Sequence, residues 1–201
     1  MSDVQEIKVQ TKEWANPTPA GLVALAVAAF CFFGLLNGYV DGAARPFVGC
    51  WMLGGFVIQF IVAIVDLKGG NTAGGNTFLF FSAFFMLATG IEMFLHSFFV
   101  FDATIDGLAW LAIAIALILW TPAFCRPFGW LSLIIIALDI ALPILALADL
   151  GVLDGDPFKN IAGYALLVAG IIALYLSSAL VVNKTFGREI YPMLKLPKDK
   201  P

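Results

Sequence analysis

The chain has 201 residues, of which 61% are hydrophobic and only 12% charged, with a formal net charge of −3 and a mean hydropathy of +0.96. A soluble core of that composition could not be covered with polar surface, so the chain is expected to cross a membrane several times. The acidic balance gives no footing for nucleic acid, and Cys31, Cys50 and Cys125, without CxxC or Cys/His spacing, give none for a metal or disulfide framework.

Residues 1–15 form a polar tail with Asp3, Glu6, Lys8, Lys12 and Glu13. It does not resemble a cleavable signal, because the apolar run behind it continues to full spanning length. That run, Thr18 to Val40, is introduced by Asn16-Pro17-Thr18-Pro19. Asn caps helices well, and Pro is tolerated in a first turn, where its missing N–H has no intrahelical partner. Five more apolar runs follow: Pro46 to Val65, Phe78 to Phe101, Leu108 to Phe124, Phe128 to Ala148 and Ile161 to Val182. Each approaches the ~20 residues needed to cross the hydrocarbon as a helix. A β-barrel would need short alternating segments instead. The expected fold is therefore an all-α bundle of six transmembrane helices over residues 16–192, with a second polar tail at 193–201.

Within this frame, Gly69-Gly70-Asn71-Thr72-Ala73 is repeated at once as Gly74-Gly75-Asn76-Thr77-Phe78, a composition that favours turns and close backbone approach. Arg45-Pro46-Phe47 and Arg126-Pro127-Phe128 each open a span, a three-letter echo compatible with inverted halves or with the usefulness of Pro at a helix start. Ala20, Ala24 and Ala28 in the first span, and Ala162, Gly163, Ala169, Gly170 and Ala173 in the sixth, form small-residue stripes suited to tight helix contacts. Nine basic residues fall on the side of the tails and of the second and fourth connections, against Arg45 and Lys159 on the other. Both termini are accordingly expected in the cytoplasm.

Ionisable residues at membrane depth default to a functional hypothesis. Glu92 and His96 stand four apart in the third span and share a helix face; Asp139 lies near the middle of the fifth. These three could handle protons, or could serve as a structural Glu/His pair and a helix-tying carboxyl. No Lys or Arg lies deep in any span, so an anion would have to be met by helix N-termini, by Asn and Thr side chains, or by a proton. Asn16, Asn71 and Thr72, at the starts of spans one and three, are the candidate donors of such a vestibule, with simple capping as the alternative.

Taken together, several segments resemble the acetate uptake transporter family, the succinate/acetate permeases of microbes. Asn16-Pro17-Thr18-Pro19-Ala20-Gly21-Leu22 is similar to the family's opening Asn-Pro-x-Pro-Leu-Gly-Leu, departing at Ala20. Gly55 with Gln59, then Lys68-Gly69-Gly70-Asn71-Thr72, resemble its second span and Gly-Asn-Thr signature. Ala162-Gly163-Tyr164, Ala173-Leu174-Tyr175, Asn183, Phe186-Gly187-Arg188 and Pro192 resemble its end pattern. The resemblance implies a six-helix protomer, a homo-hexamer in the cell membrane, and passage of acetate or related small carboxylates, succinate among them, through each protomer. Family members are described both as proton-coupled carriers and as channels.

The resemblance further implies a constriction of Phe, Tyr and Leu from spans one, three and five. These positions fall here on Leu25, Phe81 and, within a slip of one or two positions, Ile140. Loss of bulk at Leu25 and of a hydroxyl at Phe81 predicts a wider or more completely apolar constriction, which admits a protonated or well-shielded acid more readily than a bare anion. Glu92 and His96 lie outside the matched segments. The expected partners are thus a small carboxylate, with or without a proton, the bilayer and further copies of the chain; no cofactor and no metal are expected. A channel for another small solute, such as formate or ammonia, is the alternative, and an intramembrane enzyme or redox protein is disfavoured because one His and no paired Cys leave little ligand set.

Overall fold

The computed structural model describes residues 14–100, 102–126 and 129–194, and within them the chain is helical, with no strand. Six helices are long and apolar enough to cross a membrane: α1 (Thr18–Leu36), α2 (Arg45–Lys68), α3 (Thr72–Leu95), α4 (Thr104–Phe124), α5 (Trp130–Asp149) and α6 (Asp156–Phe186). Each arises from one of the apolar runs, because in lipid a helix is the one local structure that satisfies every backbone N–H and C=O within a single segment. Phe101, Pro127 and Phe128 lie outside the described residues, as do residues 1–13 and 195–201 of the two tails.

The boundaries differ from the apolar runs where backbone chemistry overrides composition. α1 stops at Leu36 rather than at Val40, because Gly38 takes φ +70° and the N–H groups of Tyr39 and Val40 both return to the Gly34 carbonyl, at 2.9 and 3.3 Å. α2 runs three residues past Val65 and carries Asp66 into the fold. α3 begins at Thr72, six residues before Phe78, so the second copy of the Gly-Asn repeat is helical rather than a turn. Asn71 starts it by accepting from Gly74 N at 3.1 Å. Gly75 then lets α3 pass against the end of α2, since a Cβ there would stand 2.7 Å from Leu67 Cγ.

Within α3, Phe81–Ala88 is wound as a π-helix. The wider turn shifts the face presented by everything after it relative to Thr72–Phe80. Thr89 Oγ1 donates to the Phe84 carbonyl five residues back, at 3.2 Å, and Ser82 Oγ to the Leu79 carbonyl at 2.7 Å.

The helices pack in a ring in the order α4, α5, α6, α1, α2, α3. Small residues set the closest approaches: a Cβ at Gly170 would lie 3.1 Å from Ala29 Cβ, one at Gly163 would meet Asn37, and one at Gly49 would lie 2.7 Å from the Gly90 carbonyl. Ala24 and Ala28 of the predicted stripe are buried, whereas Ala20 is exposed. The thinnest junction, α3 against α4, is bridged by aromatic pairs, Phe80–Trp120 at 5.4 Å and Phe85–Trp110 at 5.6 Å. After α6 the chain folds back: Asn183 Oδ1 accepts from Ile190 N and Tyr191 N, and the Pro192 carbonyl accepts from Tyr175 OH at 2.8 Å and Trp130 Nε1 at 3.3 Å. Much of the end pattern in the sequence is therefore a latch across α5 and α6.

Candidate functional site: a vestibule and an inner cavity

Where Asn16-Pro17-Thr18 meets the turn between α2 and α3, an open vestibule of about 840 Å³ is lined by both segments, with Trp14 and Lys68 at its edge. The Lys68 ammonium lies 4.9 Å from the centre of the Trp14 ring, a cation–π contact. Asn16 Oδ1 accepts from Thr18 N at 3.0 Å, which fixes the entry turn of α1. Between the two segments stands Asp66, only 6% exposed. Its carboxyl accepts from Asn71 Nδ2 at 3.1 Å and from Thr18 Oγ1 at 3.4 Å.

Asp66 was not among the predicted site residues. The second apolar run ends at Val65, which leaves Asp66 in a connection; its signal was its place five residues before Asn71, a spacing that becomes a contact only because the chain reverses at Gly70, φ +83°. Asn71 is consequently committed at both ends, its oxygen to Gly74 N and its nitrogen to Asp66. Thr72 is exposed and lines neither cavity.

Thr18 and Asn71 also line a smaller inner cavity of about 50 Å³, continued by Leu22 and Leu25 of α1, Gln59 of α2, Thr77, Phe78 and Phe81 of α3, and Leu138 of α5. Leu25 and Phe81 are 6% and 3% exposed, and Phe81 is held by ring contacts to Phe80 and Phe85 at 4.8 and 5.6 Å. From α5 it is Leu138, 2% exposed, that reaches the cavity; Ile140, two positions on, is 48% exposed and does not line it. Two positions turn a helix by about 200°, so a slip of two exchanges the inner for the outer face. No charged side chain lines the inner cavity.

Two polar residues in it escaped the sequence analysis as site residues. Gln59 is 1% exposed; its Nε2 donates to the Gly21 carbonyl at 3.4 Å, while its Oε1 is buried without a partner. Thr77 Oγ1 is likewise buried and unpartnered. Spacing alone gives neither a role: Gln59 sits inside an apolar run, where it is marked only as part of a motif, and Thr77 in a repeat that reads as a turn.

The remaining candidates lie elsewhere. Glu92 Oε1 and His96 Nε2 are 3.2 Å apart, with side chains about a quarter exposed, at the far end of α3 near Asp106 and Asp149. Asp139 Oδ2 is 2.6 Å from Thr121 Oγ1, which also reaches the Leu117 carbonyl at 3.0 Å, and it joins α5 to α4 without lining the cavity. The hydroxyl has one proton for two acceptors, so a protonated Asp139 satisfies both contacts. Among the described residues no group of three or more His, Cys, Asp or Glu side chains is placed to hold a metal ion.

A sequence model of the GPR1/FUN34/yaaH family matches residues 2–198. No curated protein sequence matches the chain. Among solved structures, that of the bacterial acetate channel SatP superposes with a TM-score of 0.79 at 21% identity, over 90% of this chain and 99% of that one. The six-helix fold is thus shared, and the family expected from the motifs is the one found.

Proposed function

Because the chain belongs to the GPR1/FUN34/yaaH family, we propose that it is a membrane transporter or channel for acetate and related small monocarboxylates. The observation that supports this is the shared lining: Thr18 and Asn71 belong to both the open vestibule and the inner cavity, which sets the two spaces end to end on the proposed route into a single protomer. SatP, which has the same fold, is an acetate channel. In this proposal Asn16, Thr18 and Asn71 form the mouth, and Leu25, Phe81 and Leu138 form the constriction. An apolar constriction gates by dewetting and favours a shielded or protonated acid over a bare anion.

We infer an orientation with both termini in the cytoplasm from the excess of Lys and Arg on that side. We take the assembly to be a homo-hexamer, in keeping with the outward apolar side chains, Phe47, Trp51, Ile61 and Ile140 among them, available to lipid or neighbouring copies. Labelled acetate uptake into proteoliposomes, with unlabelled propionate, lactate, succinate, formate and ammonium as competitors, tests the substrate class. Competition by propionate but not ammonium is expected. Uptake of ammonia or formate with none of acetate would assign the path to another solute.

A further inference from the structure

After α6 the chain returns over the start of α5. Gly187 reverses it at φ +64°, and one side chain holds the return: Asn183 Oδ1 accepts from Ile190 N at 2.7 Å and Tyr191 N at 2.9 Å, while Nδ2 donates to the Tyr191 carbonyl at 2.8 Å. The strap 187–194 is then fixed on α5. The Pro192 carbonyl accepts from Tyr175 OH and Trp130 Nε1, and the rings of Trp130 and Tyr175 meet edge-on at 5.0 Å. The Leu194 carbonyl stands against Gly129, where a Cβ would lie 3.2 Å from it, and Met193 packs on the buried core. The hydrogen bonds at Asn183 and Pro192 are all exposed. Exposed bonds add little net stability, so the strap opens more readily than the helices beneath it.

The part of α5 under the strap is the part that walls the inner cavity: Leu131, Ile134, Ile135 and Leu138 all line it. Farther along, Pro143 interrupts the helix. It has no N–H for the Asp139 carbonyl, and its ring crowds that turn, which makes it a point of bending. The first half, 130–138, is tied at its start by Ser132, whose hydroxyl donates to the Phe124 carbonyl at 2.7 Å and accepts from Gly129 N at 3.0 Å. At its far end Asp139 is tied to Thr121. On α6, Ser177 donates to the Pro19 carbonyl at 2.8 Å, so one stretch of that helix holds the entry of α1 through Ser177 and the strap through Tyr175. The cavity, at about 50 Å³, has room for only a few waters, so the position of one wall decides what enters it.

We propose that the strap 187–194 is a clamp on the path: closed, it holds the first half of α5 against the inner cavity, and released, it lets that half swing about Pro143 so that the cavity widens. Asn183, Tyr175 and Trp130 act as positioning residues, setting the wall through α5 without touching the substrate. The effect on uptake rests on the assignment of this path to monocarboxylates; the movement itself does not.

The test uses the full-length chain in proteoliposomes, with Cys31→Ala, Cys50→Ser and Cys125→Ser removing the native thiols and Ile135→Cys placing one in the cavity wall. In this background Asn183→Ala removes all three bonds of the return, and Tyr175→Phe removes one donor while keeping the ring. Two readouts need no transport. Trypsin cleavage after the exposed Arg188 reports release of the strap, and the rate of modification of the Ile135→Cys thiol by a small neutral methanethiosulfonate reports opening of the wall. Both should rise about tenfold in Asn183→Ala and about threefold in Tyr175→Phe, the effect of losing exposed hydrogen bonds on an opening equilibrium. The ratio of butyrate to acetate uptake should rise with them, while the melting temperature of the helices is unchanged. Pro143→Ala restores the missing N–H; added to Asn183→Ala, it should return thiol modification and the uptake ratio to wild-type values and leave cleavage after Arg188 fast. A tail that only stabilises the fold would not give that split. Unchanged cleavage, or fast cleavage with an unchanged thiol rate and uptake ratio, would overturn the clamp and leave the transport assignment intact. Thiol modification that stays fast with Pro143→Ala would overturn the swing about that residue. Fast cleavage and fast modification without uptake of any acid would support the clamp while overturning transport.

Discussion

Along the proposed path, Phe81 is the side chain at which selectivity is best tested, because it is buried, held on two sides by other rings, and forms part of the inner cavity wall. Phe81→Ala should admit longer acids relative to acetate, read as a propionate-to-butyrate uptake ratio that moves toward unity. It should also cost about 3–5 kcal/mol of stability, as truncation of a buried aromatic does. Asp66 has a different consequence. Asp66→Ala leaves Thr18 and Asn71 without their shared acceptor and should cost about 1–3 kcal/mol in a thermal melt. Asp66→Asn keeps an acceptor oxygen, removes a negative charge beside the mouth, and should lower acetate half-saturation by roughly twofold to fivefold. At Asp139 the neutral variant Asp139→Asn preserves the bond to Thr121. Uptake and its pH dependence should be unchanged, and a flattened pH profile would return Asp139 to a proton-handling role. The side chains that make up the wall were partly legible in the sequence: Leu25 and Phe81 came from aligned motifs. Asp66 and Thr77 did not, and Gln59 stood in a matched motif without a role, because their meaning lies in which partner each has or lacks, a property of the assembled helices that residue type does not carry.

At the scale of single helices, the sequence was most informative where composition alone decides, and least where glycine does. Long apolar runs sufficed for six helices, since no other structure satisfies the backbone in lipid within a single segment. The helix α3 begins six residues before its apolar run, through a Gly-Asn repeat with turn-like local preferences; packing of Gly75 on Leu67 and the Asn71 cap override them. The π-helical stretch Phe81–Ala88 had no visible signal, since its aromatic and small residues fit an α-helix equally well. Close approach makes one further test possible at this scale. Gly49 faces the backbone of Gly90, where a Cβ would stand 2.7 Å from a carbonyl oxygen that no rotamer can move. Gly49→Ala should separate α2 from α3 and cost about 1–3 kcal/mol, the range for overpacking. Gly54→Ala, where a Cβ meets nothing within 4 Å, should be near neutral. Comparing the two in one thermal-stability assay removes the effect of alanine's better helix propensity.

For the whole molecule, the ring of six helices brings five of them to one cavity: α1, α2, α3, α4 through Phe124, and α5. α6 stands outside it, bound to α1 by small residues and tied by the latch at Pro192. The proposed route accordingly runs through one protomer rather than between protomers, and it is the claim on which the proposed function depends. Leu25→Trp places an indole in the inner cavity without touching the vestibule and so tests it directly. The decisive measurement is labelled acetate uptake into proteoliposomes by the wild type and by Leu25→Trp, with both shown to elute as the same folded assembly. The account predicts uptake well above empty vesicles for the wild type and background uptake for the variant; wild-type uptake through Leu25→Trp would contradict it.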